Sequence, residues 1–311
     1  MGLLQGIKQL ADYTAEVLTN PALIRREFTL LREGNCADYY TFLGDDVLEN
    51  LNSEFTQDDK PLWLNMGYWR QAHTYPDACA ALARRLGEVA GMTPRDTVLD
   101  CGFGYAEQDL LWVHEFDVGH ITGLNVTPLH VERARQRVEA RGLSERIDLR
   151  LGSATSVPLP ENSVDRVVAL ESAFHFDTRV DFFREAMRVL KPGGVLATAD
   201  MLPMPGTEPR GVIQNFGLRR WGFPRVNAYD REIYCQKLQQ QGFVEVWSES
   251  IRGHVYPGVN RYAEARKAGQ PMEAIHVELS PNDVASCYGV DLWRNNTGID
   301  DYVLFHARKP R

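Results

Sequence analysis

The segment Val98-Leu99-Asp100-Cys101-Gly102-Phe103-Gly104-Tyr105-Ala106 starts as an apolar run, reaches a carboxylate and breaks into a glycine turn. A strand buried on both faces has no polar side to show, so it reads as a continuous apolar stretch. Glycines directly after such a strand let the backbone turn tightly and approach a ligand where a Cβ would clash. The segment therefore confines the chain to an α/β architecture with a nucleotide-type pocket at the strand's carboxyl end.

Between residues 96 and 202 strand and helix patterns alternate with little punctuation, as in a doubly wound sheet. Strands are expected at 97–101, 121–126, 147–151, 164–170 and 195–200. A helix over 128–141 places Val131, Ala134 and Val138 on one face. A second over 179–190 does so with Phe182, Phe183, Ala186, Met187 and Leu190, then stops at Lys191-Pro192-Gly193-Gly194. Asp230 caps a further helix ending at Gly242, and 244–251 and 302–308 read as the last strands. The fold expected is α/β and Rossmann-like. A helical cap over 1–75, opened by Leu3, Ile7, Leu10 and Ala11, precedes a core over 76–311. Turn-rich stretches at 203–228 and 253–298 read as lid segments over the carboxyl edge of the sheet.

Composition narrows the function. The 311 residues carry a net charge of −8, which disfavours nucleic acid and anionic membranes, whose phosphates recruit basic faces. No apolar run reaches the roughly 18 to 20 residues of a membrane span, and no secretory leader pattern opens the chain, so a cytoplasmic location is expected. Five cysteines (Cys36, Cys79, Cys101, Cys235, Cys287) are scattered, without disulfide or zinc spacing. His73, His114, His120, His130, His254, His276 and His306 show no metal-ligand spacing either, so no metal is expected. The partner expected is a small molecule, with His254 a second candidate for touching it; a homo-oligomer is compatible with the sequence.

The cofactor follows from two departures. A dinucleotide turn needs a third glycine where Glu107 stands, and an acid at the end of the second strand, which here ends Gly123-Leu124-Asn125. Both weaken an NAD-dependent dehydrogenase and are tolerable for S-adenosylmethionine, with Asn125 and Thr127 offering hydrogen bonds to ribose hydroxyls.

Five motifs in register carry a family resemblance. They are residues 100–109, Gly123-Leu124-Asn125-Val126-Thr127-Pro128, Gly152-Ser153-Ala154, Leu170-Glu171-Ser172-Ala173-Phe174-His175 and Lys191-Pro192-Gly193-Gly194-Val195. Their order and spacing resemble class I methyltransferases, nearest to the erythromycin-type macrolide O-methyltransferases and then the rebeccamycin-type sugar O-methyltransferases. Asn65-Met66-Gly67-Tyr68-Trp69 and Ala307-Arg308-Lys309-Pro310 extend the resemblance towards both ends. It implies a mixed seven-stranded sheet with the last strand antiparallel. It also implies that Gly102 and Gly104 approach the methionine part of the cofactor, with Asp100 and Gln108 fixing the turn. Asn125 and Thr127 would face the ribose, Ser153 and Ala154 the adenine, and Tyr68 would close over the cofactor from the cap. The departures from the family pattern are Ala106 for a third glycine, and Asn125 and Ser153 for acids.

Methyl transfer from a sulfonium is an in-line displacement; the protein must align the reactants and, for a hydroxyl acceptor, take a proton. His175, just past the fourth strand, is the candidate base, and Asp200, ending the fifth, would orient and support its imidazolium. A histidine at a strand end is more often a hydrogen-bonded structural residue; the matching His and Asp of the sugar O-methyltransferases favour the base. Glu171 would brace the fourth strand or hold the cofactor's ammonium. Alternatively it would serve as the base of a prenyl-diphosphate C-methyltransferase, with Arg219, Arg220 and Arg225 gripping the diphosphate. S-methylation of a small thiol, and a cofactor-binding protein without turnover, are the remaining readings.

Overall fold

The computed structural model describes residues 61–206, 218, 222–285 and 298–311. Residues 1–60 of the expected cap, Cys36 among them, together with Cys287, the run Arg219-Arg220-Trp221 and lid stretches 207–217 and 286–297, lie outside the described residues.

Seven strands form one sheet: β1 (Thr97–Cys101), β2 (His120–Asn125), β3 (Ile147–Leu151), β4 (Val164–Leu170), β5 (Leu190–Pro203), β6 (Val244–Ser250) and β7 (Ile299–Arg308). Their order is β3-β2-β1-β4-β5-β7-β6. The first five run parallel, while β7 is antiparallel to both β5 and β6, as expected. The chain crosses from one half of the sheet to the other between β1 and β4, so the crevice at their carboxyl ends is the topological switch point where open α/β folds bind ligands. The glycine turn sits in that crevice.

β5 is longer than the sequence pattern shows. Lys191–Gly194 does not merely stop the preceding helix; it forms a bulged first part of the strand, with a register break between Val164 and Arg166 on β4. Gly193 supplies the positive φ of 80°, and its N–H donates to the Lys309 carbonyl at the end of β7. Pairing with β7 then carries β5 through Pro203.

Helices cover both faces. On one side lie α1 (Tyr75–Ala90), α2 (Glu107–Glu115) and α3 (Pro128–Ala140), which bury Leu82, Leu86, Trp112 and Val131. On the other, α4 (Arg179–Val189) and α5 (Arg231–Gln240) bury Phe182, Phe183, Tyr234 and Leu238. Each such side chain contributes roughly 1.5–3 kcal/mol on leaving water. Thr178 starts α4 with a capping box to Asp181, and Asp230 caps α5 through the N–H groups of Glu232 and Ile233.

The remaining helices are α6 (Arg252–Lys267) and the short α7 (Pro281–Ala285). α6 falls within the second expected lid segment, yet it packs against the segment before α1. The Trp69 N–H donates to the His254 carbonyl at 2.7 Å, and Tyr75 stacks on Tyr262 with ring centroids 4.6 Å apart. Gly258 lies so close to the Trp69 indole that a Cβ would overlap it. Among the described residues no helix is long and apolar enough to cross a membrane.

Candidate active site

After β1 the backbone takes positive φ at alternate residues, 93° at Gly102, 56° at Gly104 and 64° at Ala106. The departure at 106 thus keeps the left-handed conformation that the missing glycine would take without a Cβ penalty. A Cβ at Gly102 would overlap Ser172, whose hydroxyl donates to the Cys101 carbonyl at 2.6 Å and ties the turn to the end of β4. Gln108 donates to Asp100 Oδ2 at 3.0 Å, so the two residues expected to fix the turn do meet. Asp109 lies beside Asp100; burial raises both carboxyls from their ordinary range, and Asp100's charge raises Asp109 further. The two carboxyls hydrogen-bond to each other, and among the described residues no other group donates to the buried Asp100 Oδ1.

At the end of β2, the Thr127 N–H donates to Asn125 Oδ1 at 2.9 Å. That bond fixes the amide's orientation, so Asn125 offers its NH2 to a ligand where the family's acid would accept. The Thr127 hydroxyl is buried without a partner among the described residues. Ser153 turns inward to Thr155, its Oγ 2.9 Å from Thr155 Oγ1, and Ala154 is buried beside it. Two apolar side chains at this edge stay open, Val126 at 40% and Leu151 at 57% exposure.

The segment before α1 crosses this crevice as a strap. The Leu62 N–H donates to Glu107 Oε1, which is also paired with Arg137. Leu64 covers Gly104, and the Met66 N–H donates to Glu171 Oε1 at 2.7 Å. Tyr302 of β7 donates to the same Oε1 at 2.6 Å. Both bonds leave Glu171 Oε2 without a protein donor among the described residues. The crowded surroundings raise this carboxyl to about 7, desolvation outweighing the two bonds. Tyr68 follows the strap, half-buried, its ring edge-on to His254 at 5.5 Å.

His175 lies at the end of a short 3-10 turn, Ala173–His175, just beyond β4. It is buried, its ring 4.0 Å from that of Phe174, with Nδ1 3.0 Å from the Gly222 carbonyl. Burial lowers the imidazole to about 4, with Arg179 pushing the same way, so it is neutral at physiological pH.

Asp200 does not pair with His175. Its Oδ2 accepts from Arg179 Nε at 2.8 Å and its Oδ1 from the Met201 N–H at 2.9 Å. Arg179 and Asp200 are both fully buried, and a permanently charged guanidinium needs a counter-charge that a neutral imidazole does not. Arg179 also donates to the Met201 carbonyl at 2.9 Å and to the Asn227 carbonyl. Its guanidinium lies over Phe223, Tyr229 and Tyr234 at 5.4, 5.3 and 5.5 Å. One signal for Arg179 was present in the sequence: it stands three and four residues before Phe182 and Phe183, on the apolar stripe of its helix. Asn227, Gly222 and Tyr302 carry no periodic signal that would have marked them.

Residues 99–198 match the methyltransferase domain family. Over 200 residues the chain is 40% identical to the erythromycin 3''-O-methyltransferase of Saccharopolyspora erythraea, covering 62% of this chain and 65% of that one. It is 30% identical over 258 residues to the 27-O-demethylrifamycin SV methyltransferase of Amycolatopsis mediterranei, covering 80% of this chain and 92% of that one. The chain belongs to the class I S-adenosylmethionine-dependent methyltransferases. The fold agrees: the geranyl diphosphate C-methyltransferase of Streptomyces coelicolor A3(2), solved with Mg2+, geranyl diphosphate and S-adenosyl-L-homocysteine, superposes with a TM-score of 0.62. That match, at 16% identity, covers 85% of this chain and 97% of the other.

The methyltransferase's crevice fits its cofactor. The Asp100 carboxyl at the turn suits an ammonium, the Thr127 hydroxyl and Asn125 amide suit ribose hydroxyls, and open Val126 and Leu151 suit an adenine face. A Cβ at residue 102 would collide with Ser172 and displace the turn that the methionine part approaches. Gly102→Ala is therefore expected to weaken S-adenosylmethionine binding by more than about tenfold and to lower stability by about 1–3 kcal/mol. Calorimetric titration and thermal unfolding check both.

Proposed function

We propose that this methyltransferase acts on a hydroxyl of a small, fairly apolar natural product, with His175 as the base. The observation that carries the reading is the bond from His175 to the Gly222 carbonyl. A carbonyl only accepts, so Nδ1 carries the proton and Nε2 is the basic nitrogen. S-adenosylmethionine supplies a sulfonium methyl whose departure leaves a neutral thioether, so no acid is needed on that side. His175 takes the acceptor's proton at Nε2 as the oxygen engages the methyl. The imidazolium so formed keeps its Nδ1–H on Gly222 and returns the proton to solvent. Glu171 holds the strap closed by accepting from the Met66 N–H and the Tyr302 hydroxyl through Oε1. The cap over 1–75 and the lid segments would shape the acceptor site and exclude water.

The two relatives support this choice, one being named for 3''-O-methylation of erythromycin and the other for methylation of 27-O-demethylrifamycin SV. The test is incubation with S-adenosylmethionine and separate macrolide, glycoside, prenyl diphosphate and thiol acceptors, with products mapped by mass spectrometry and NMR. An O-methyl product is expected. A C-methylated prenyl diphosphate as the sole product would transfer the role of base to Glu171, whose raised carboxyl favours that second reading.

Glu171 also has a consequence for stability. Its carboxyl titrates near 7 in the folded protein and near its ordinary 4.5 when unfolded, so the folded state holds the proton longer. Its contribution is fully present below pH 4.5 and is lost as pH rises through 7. Glu171→Gln is thus expected to gain about 2 kcal/mol over the native protein at pH 8 and little at pH 4, by denaturant unfolding. Parallel stability curves for the two proteins would refute this.

A further inference from the structure

We propose that Asn227 is a positioning residue for His175, clamping the histidine's turn to the segment whose Gly222 carbonyl sets the imidazole. The proposal rests on the reading of His175 as the base. Asn227 is buried and uses both ends of its side chain. Its Nδ2 donates to the carbonyls on either side of His175, Phe174 at 3.3 Å and Phe176 at 2.7 Å. Its Oδ1 accepts from the Arg179 N–H at 3.0 Å, and its own carbonyl accepts from the Arg179 guanidinium. The Asn227 N–H donates to the Pro224 carbonyl at 2.9 Å, closing the turn that follows Gly222 and Phe223. Phe223 stacks on Phe174 with centroids 5.7 Å apart. Three elements therefore converge on one amide: the loop after β4, the first turn of α4 and the segment leading to α5.

The amide can do this because it is a donor and an acceptor at once. Without its two donated bonds, the Phe174 and Phe176 carbonyls lose their partner and the turn between them can rotate. His175 would then leave Gly222 and take up water. Among the described residues, the charged group that acts on the imidazole is Arg179 on α4. Arg179 disfavours the imidazolium, and its pairing with Asp200 moderates that effect.

The experiment uses the full chain with Asn227→Asp and Asn227→Ala. The first keeps the acceptor towards the Arg179 N–H and loses the donors; the second loses both and adds no charge. With an acceptor that the native protein methylates, both variants are expected to lose at least about tenfold in kcat, with KM for S-adenosylmethionine within about twofold. Their rate should begin to fall near pH 6, whereas the native rate stays level down to about pH 5, because a hydrated imidazole returns towards its ordinary value. Unchanged kcat and pH profile in variants that fold would reduce Asn227 to a structural role and overturn the proposal. Should neither variant fold, 15N NMR of the native protein decides: the Nδ1–H tautomer is required, and Nε2–H would overturn the proposal. Failure of the underlying reading looks different, since His175→Ala would then keep its turnover.

Discussion

His175→Ala is expected to lower kcat for methyl transfer to a hydroxyl acceptor by about 10²- to 10⁴-fold, the usual contribution of a positioned proton acceptor, and to leave S-adenosylmethionine affinity within about twofold. The separation follows from location. His175 sits past β4 on the side of Gly222 and Phe223, whereas the groups suited to the cofactor line the ends of β1 and β2. The imidazole is held at about 4 by burial, so it is already neutral well below pH 7. The native rate should accordingly show no protonation step at the ordinary histidine position of about 6.5. Steady-state kinetics between pH 5 and 8, with binding by calorimetry, check both statements. A variant with native kcat would remove His175 from the chemistry.

Asp200→Ala carries the second large effect, and it falls on stability. The substitution leaves the Arg179 guanidinium buried without its carboxylate, which costs about 3–5 kcal/mol. For a chain of this length that lowers Tm by roughly 5–8 °C. Adding Arg179→Met should recover at least half of the loss, because the second change removes the stranded charge instead of a second interaction. Thermal unfolding of the two single variants and the double variant measures the coupling. An Asp200→Ala protein with native Tm but no turnover would instead support the imidazolium partnership that the sequence pattern suggests.

Legibility in the sequence followed repetition. Strands β1 and β4 were readable because two-sided burial leaves unbroken apolar runs such as Val98-Leu99 and Val167-Val168-Ala169-Leu170, whereas the mixed sheet with its antiparallel last strand followed from the family resemblance. β5 was readable only from Val195 onward, since its first residues look like a helix stop and become strand by pairing across Gly193 with the end of β7. The glycine turn, Gln108 on Asp100, and His175 near the carboxyl edge were local enough to follow from order along the chain. The partner of Asp200 was not. Choosing between an imidazole and a guanidinium required knowing that Arg179, on the apolar stripe of α4, turns into the same buried space.

By itself the sequence determined the sheet, the turn after β1, the family and the short list of groups able to move a proton, because each rests on residues close together or on burial that repeats along the chain. Tertiary structure alone decided what those groups do to one another. It gave Asp200 to Arg179, set His175 on the Gly222 carbonyl, joined Met66 and Tyr302 on Glu171 Oε1, and brought Asn227 between the carbonyls flanking His175. Those contacts join residues 21 to 131 positions apart. A buried charge or amide takes whichever complementary group the fold delivers within about 3 Å, and nothing in the spacing of residues along the chain encodes that delivery.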